Sequence, residues 1–276
     1  MKAVRTVFVN YWPAAAIVSL LWHGASLLSA PFEPIPQSLI GTWQVSKVLI
    51  DTEATRTLQY QYDDARLTGR LVTIASGEVT ANLPEKSDCI NPSVRRQSTT
   101  ATALLHDTMG GRSDPPAYPS PKDYKLPASG GSSDAVWFKC ASGSLGPNGP
   151  RGPDGENWVL LLPNDRLAMR WFDNTILLLD RVPKVAKPTP SFDCSKAATP
   201  VEKAICGSIA LAAFDRSVAE SYRSAINQQK ETGDAKSLKA VQDSQRQWLA
   251  KRNACGADAA CLQKAMQARL EELAQP

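Results

Sequence analysis

Three prolines within eight residues, Pro183-Lys-Val-Ala-Lys-Pro188-Thr-Pro190, divide this chain into two parts that call for different folds. Proline fixes φ and removes a backbone donor. A stretch this rich in it, without apolar periodicity, reads as an extended, semi-rigid linker over 183–190. Before it, apolar residues alternate or cluster in short strand-forming runs; after it, they recur every three or four positions. The expected fold is α+β in two domains. An antiparallel β-barrel or sandwich covers 31–182, and a disulfide-stapled helical hairpin covers 191–276.

In the first part, strand-forming runs are Trp43–Ile50, Leu71–Ile74, Glu78–Leu83, Asp134–Cys140, Trp158–Leu162, Leu167–Phe172 and Thr175–Leu179. Asn164-Asp165 and Asp173-Asn174 are turn-forming pairs between the last three, which makes that stretch an antiparallel meander. Residues 110–155 are rich in Gly, Pro and Ser and read as a long loop. Gly41-Thr42-Trp43, at the start of the first run, resembles the lipocalin-like (calycin) pattern. The resemblance implies a barrel whose closed end is plugged by Trp43 and whose open mouth could hold a small apolar ligand. A tryptophan packed in any β core explains Trp43 equally well.

The N-terminus has a basic start (Lys2, Arg5), a mostly apolar run from Ala14 to Leu28 and small residues at Ser29-Ala30. This order reads as a secretory signal peptide over 1–30. The run is short for a spanning helix, which needs about 20 apolar residues, so no stable membrane span remains after cleavage. An uncleaved anchor is the rival reading. The expected location is the periplasm or outside the cell.

Export changes what the six cysteines mean, because an even number in an oxidising compartment points to disulfides. Spacing suggests Cys89 with Cys140, Cys194 with Cys206, and Cys255 with Cys261. The last four cysteines allow three connectivities. A tetrahedral site built from those four thiolates is the alternative, but no Cys-x-x-Cys spacing occurs. No metal or cofactor is therefore expected.

Charge and histidine content exclude further classes. The formal charge of +4 is weak and dispersed for a nucleic-acid surface. Of two histidines, His23 lies in the signal segment, which leaves His106 for any Ser-His-Asp or Cys-His scheme. The carboxylate pairs Asp63-Asp64 and Glu271-Glu272 are adjacent in sequence and cannot flank a substrate as glycosidase carboxylates do. No nucleophile elbow, phosphate loop or dinucleotide fingerprint is present, and the chain reads as a non-enzyme.

The second part is the more explicit. Thr199-Pro-Val-Glu202 has the form of a capping box, with proline where its missing N–H costs nothing. A short helix should end at Gly207. The next carries Leu211, Phe214, Val218, Tyr222, Ala225 and Ile226 on one face and ends at Gly233-Asp234. Its partner carries Leu238, Val241, Gln245, Trp248 and Leu249 and stops at Gly256. Asp258 caps a last helix with Leu262, Met266, Leu270 and Leu273 facing inward. Phe192-Asp-Cys194, Thr199-Pro-x-Glu202, Ile205-Cys206, Leu211-x-x-Phe214-Asp215, Tyr222, Gln245-x-x-Trp248-Leu-x-x-Arg252-x-x-Cys255 and Cys261-Leu262 follow in order. Together they resemble the LprI-like lysozyme-inhibitor module over about 191–273.

That resemblance implies an exported binding protein that inhibits a lysozyme-type muramidase without catalysis. Two alternatives stand beside it: an envelope protein with an apolar ligand in its β domain, or an immunity-type protein neutralising a peptidoglycan-degrading toxin. The module has 12 Lys+Arg against 10 Asp+Glu. Many lysozymes are basic, so bulk charge would not steer such a complex. Asp215, Tyr222, Gln245, Trp248 and Arg252 form the candidate partner-binding or structural polar cluster. Tyr222 and Trp248 fall on apolar stripes. Gln245 and Arg252 flank Trp248 on one face and need partners if buried, with Asp215 a plausible one for Arg252 across the hairpin.

Overall fold

The computed structural model describes residues 31–275 apart from 55–56, 112–115, 127–130 and 148–157. The signal-peptide reading of 1–30, with His23, lies outside the described residues, as does part of the 110–155 loop.

Ten strands form one antiparallel sheet: β1 (Gly41–Leu49), β2 (Leu71–Ile74), β3 (Glu78–Ala81), β4 (Asp88–Ile90), β5 (Ser93–Thr99), β6 (Ser133–Lys139), β7 (Ser142–Gly143), β8 (Trp158–Leu162), β9 (Arg166–Arg170) and β10 (Ile176–Arg181). The hydrogen-bonded order is β5-β6-β8-β9-β10-β1-β2-β3-β4-β7. Its two ends belong to the same pair of chain segments. Ser93 faces Lys139 while Ile90 faces Ser142, so β4–β5 and β6–β7 run past one another in a single register across a bend. The sheet therefore curls on itself, and the described residues form one sheet rather than the two stacked sheets of a sandwich.

Local chemistry makes the bend. Asn91 has φ 46° just before Pro92, and Gly143 has φ 76°. A Cβ at Gly143 would lie 1.7 Å from the Asp88 carbonyl oxygen, so only glycine fits. The Cys89–Cys140 disulfide straps the same place, with a Cα separation of 5.1 Å. The turn pairs read from sequence hold as well. Asn164, Asp165, Asp173 and Asn174 all have left-handed φ, which Asn and Asp tolerate best.

Alternation along the strands sorts two cores. Trp43, Val45, Val72, Phe138, Val159, Met169, Leu177 and Leu179 face inward and pack with Trp171 into one cluster that fills the concave side. Trp137, Trp158, Leu160, Ile176 and Leu178 face outward and are covered by helix α1 (Ala101–Met109) and by Tyr124 and Leu126. Trp158 donates to Thr108 Oγ1 at 2.9 Å, which satisfies its buried indole N–H. Helix α1 and strands β4 and β5 are absent from the sequence reading. Within 110–155, the expected Asp134–Cys140 run forms β6, and the chain also forms β7 and buries Tyr124 and Leu126, which a purely loop-like stretch would not do.

After the linker come helices α2 (Pro200–Cys206), α3 (Ile209–Thr232), α4 (Ala235–Asn253) and α5 (Ala259–Leu273). Among the described residues, no helix is long and apolar enough to cross a membrane.

Candidate functional site

The helical part is built by local signals. Thr199 accepts from Glu202 N, and the Glu202 carboxylate takes the Ala198 and Thr199 N–H groups at 2.9 Å each. Those backbone bonds hold the Glu202 carboxyl below its ordinary value. Ser208, Asp234 and Asp258 cap α3, α4 and α5, and Gly233 turns between α3 and α4 at φ 71°. Cys194–Cys206 ties the entry segment to the end of α2, and Cys255–Cys261 ties the end of α4 to the start of α5. Val201, Ile205, Leu211, Phe214, Trp248 and Leu262 join Met266 and Leu270 in the core these elements enclose.

The five candidate residues do not form one cluster. Asp215 is buried, and its Oδ2 accepts from Ser191 N at 2.7 Å and from Ser191 Oγ at 2.6 Å. Arg252 faces Asp215 Oδ1 at 3.6 Å, so the expected bridge across the hairpin is present as an ion pair. Burial lowers the Arg252 pKa, and the charges of Asp215 and Glu202 oppose that shift. The guanidinium also lies 5.2 Å from the Trp248 ring centre. Trp248 is core, with Nε1 donating to the Ala265 carbonyl at 3.0 Å.

Gln245 belongs elsewhere. Its Oε1 accepts from Nε of Arg269, a buried arginine that also donates to Ser244 Oγ and pairs with Glu272. Tyr222 is half-buried rather than core. It lines an open cleft with Ser191, Arg216, Ala219, Glu220 and Arg223. Trp43, on the other side of the linker, is almost fully buried. It donates to the Leu39 carbonyl at 2.9 Å and lies under the Arg181 guanidinium, 4.0 Å from its ring centre.

Contacts that sequence reasoning missed join the two parts. Gly69 has φ 82°, and a Cβ there would stand 3.1 Å from the Ala213 Cβ on α3. Arg70 is fully buried, stacks on Phe214 at 3.3 Å and donates to Ser217 Oγ at 3.0 Å. Ser217 in turn donates to the Thr68 carbonyl at 3.2 Å. Arg66, held by Asp64, reaches Glu271 of α5 at 3.4 Å, and Ala65 packs on the helical core. An arginine in a Thr-Gly-Arg turn carries no sequence signal of burial, because its cover is supplied some 140 residues later.

Among the described residues, no group of three or more His, Cys, Asp or Glu is placed to hold a metal ion. His106 stacks on Tyr118 at 4.3 Å and touches its neighbour Asp107, with no nucleophile beside it in these contacts.

No curated protein and no solved structure matches the chain. Residues 194–273, which hold the capping box, the two stapled helix junctions and the Asp215–Arg252 pair, match the family described as Lysozyme inhibitor LprI.

Proposed function

We propose that the mature chain is an exported, non-catalytic binding protein that inhibits a lysozyme-type muramidase in the periplasm or outside the cell. The family match over 194–273 carries the reading. Inhibition needs only a surface that occupies the enzyme's substrate cleft, held rigid enough that little ordering cost falls on binding. The module suits that task, because two disulfides and the buried Asp215–Arg252 pair fix its base. Disulfide bonding of all six cysteines suits an oxidising compartment.

In this reading the first part is a calycin-like barrel with Trp43 as its plug, acting as a platform. Its concave side is filled by its own side chains, and Gly69, Arg70 and Arg66 brace the module. The test is titration of purified mature protein into lysozymes of several types while the clearing of a cell-wall suspension is followed. Lysis of at least one type should fall to near zero at about stoichiometric ratio. Undiminished lysis at large molar excess for all types refutes the inhibitor reading. A lipid retained on the intact native protein in mass spectrometry would favour ligand carriage instead.

A further inference from the structure

The linker crosses the curled sheet beside α3, and the three line a partly open cavity of about 130 Å³. Gln44 and Ser46 of β1, Asp180 and Arg181 of β10, Lys187 of the linker and Arg216 of α3 stand in its wall. A water's share of liquid volume is about 30 Å³, so the space suits a few waters or one small polyatomic ion.

The charges around this cavity do not balance. Arg181 is committed to Asp165 and to the carbonyls of Ser38 and Ile40. Asp180, across the β9–β10 ladder from Arg166, is the one acidic group in the wall. Against it stand two cations without a carboxylate partner among the described residues, Lys187 and Arg216. Arg216 uses one nitrogen on Thr189, which leaves its other N–H groups uncommitted.

A further cation stands immediately behind the wall. Arg70 bonds Ser217, the neighbour of Arg216, and follows Gly69, whose carbonyl accepts from the Gln44 amide at 3.1 Å. No carboxylate pairs with Arg70 among the described residues, and its Nε and Nη1 have no partner. Burial, with the like charge of Arg216, pushes its pKa down to about 9. A guanidinium stays protonated at neutral pH, so the outcome is uncompensated positive potential beside a sheltered space.

We infer that this cavity binds a small oxyanion, a phosphate or carboxylate group, held by Arg216 and Lys187 with the remaining N–H of the Gln44 amide. Charge-assisted bonds to a planar guanidinium are the strongest contacts available there. Because sheet, linker and α3 all contribute walls, the bound ion would also tighten the seam between the two parts.

The probe is inorganic phosphate, titrated calorimetrically into the full mature chain and compared with sodium chloride at matched ionic strength. Saturable binding is expected, with a melting rise of about 3 °C at ten times Kd that chloride does not reproduce. Lys187→Gln and Arg216→Gln should each weaken phosphate at least fivefold, with folding checked by circular dichroism. Lys187 is exposed, so its variant decides the matter if Arg216→Gln fails to fold. Glycerol phosphate distinguishes the sources. Equal binding supports a phosphate carried on a larger envelope molecule, and its exclusion supports a free ion. Non-saturable binding, an equal effect of chloride, or unchanged affinity in Lys187→Gln overturns the inference.

Discussion

Gly69→Ala tests the docking of the helical part on the curled sheet. Two costs add at this position. Gly69 sits at φ 82°, where a side chain is strained by about 1–2 kcal/mol. Its new methyl would also stand 3.1 Å from the Ala213 methyl, and overpacking of this kind costs about 1–3 kcal/mol. Backbone adjustment is resisted, because Gly69 N donates to the Val45 carbonyl at 2.8 Å and its own carbonyl holds Gln44. The expected loss is about 2–5 kcal/mol, or about 4–20 °C in melting temperature.

Ala213→Gly alone should cost about 2 kcal/mol, from helix propensity and one buried methyl. In the double variant the overlap disappears while the strain at position 69 remains. It should therefore lose about 1–3 kcal/mol less than the sum of the single losses. Urea unfolding at constant m measures all three. Additivity within about 0.3 kcal/mol would mean that Gly69 and Ala213 do not touch in solution, and the seam as described would be wrong.

Two more outcomes follow from the module itself. Asp215→Ala strands the Ser191 N–H and the buried side of Arg252, and should cost about 3–4 kcal/mol by chemical denaturation; a loss under about 1 kcal/mol would show the carboxylate to be solvated. The Glu202 carboxyl is held below its ordinary 4.5 by the Thr199 and Ala198 N–H groups, so the folded state binds its proton less readily than the unfolded state. Its contribution is present in full above that ordinary value and is lost as pH falls through the lowered one. Melting curves from pH 7 to pH 3 should show the gap between wild type and Glu202→Gln closing at the acid end; a gap constant with pH would remove the carboxylate from the cap.

What could be read from the sequence was local. Thr199-Pro-x-Glu202, Gly233-Asp234, Asp258 and the pairs Asn164-Asp165 and Asp173-Asn174 satisfy or bend backbone within a few residues, and each does so in the structure. What was missed depends on distant partners. Helix α1 has only nine residues, too few for a helical period to stand out, and its burial against Trp158 and Leu160 comes from strands about 50 residues away. Strand β4 has only three residues, and β5, beyond Asn91-Pro92, is polar apart from the buried Val94, so neither shows an apolar alternation, although they are one half of the bend that curls the sheet. Gln245 was set beside Arg252 because both flank Trp248. Its actual partner, Arg269, lies on α5, and no spacing rule within α4 points there.

The seam decides which face of the module a partner can meet. The Ala213–Ser217 side of α3 is covered by Gly69 and Arg70, and Glu271 of α5 is taken by Arg66. From Ser221 to Thr232 on α3 and from Ala235 to Gln247 on α4, no residue is buried, so this outer half of the hairpin stands clear. Tyr222 and the Arg216–Arg223 cleft lie where the covered and clear halves meet. An inhibitory surface on the covered side would require the two parts to separate. That would expose Phe214, break the Arg70–Ser217 and Ser217–Thr68 bonds, and remove Ala65 from the helical core. The apolar share of that cost alone is about 1.5–3 kcal/mol for one phenylalanine. On the proposed inhibitor function, the docked arrangement leaves a partner the clear half of the hairpin and the cleft at its root.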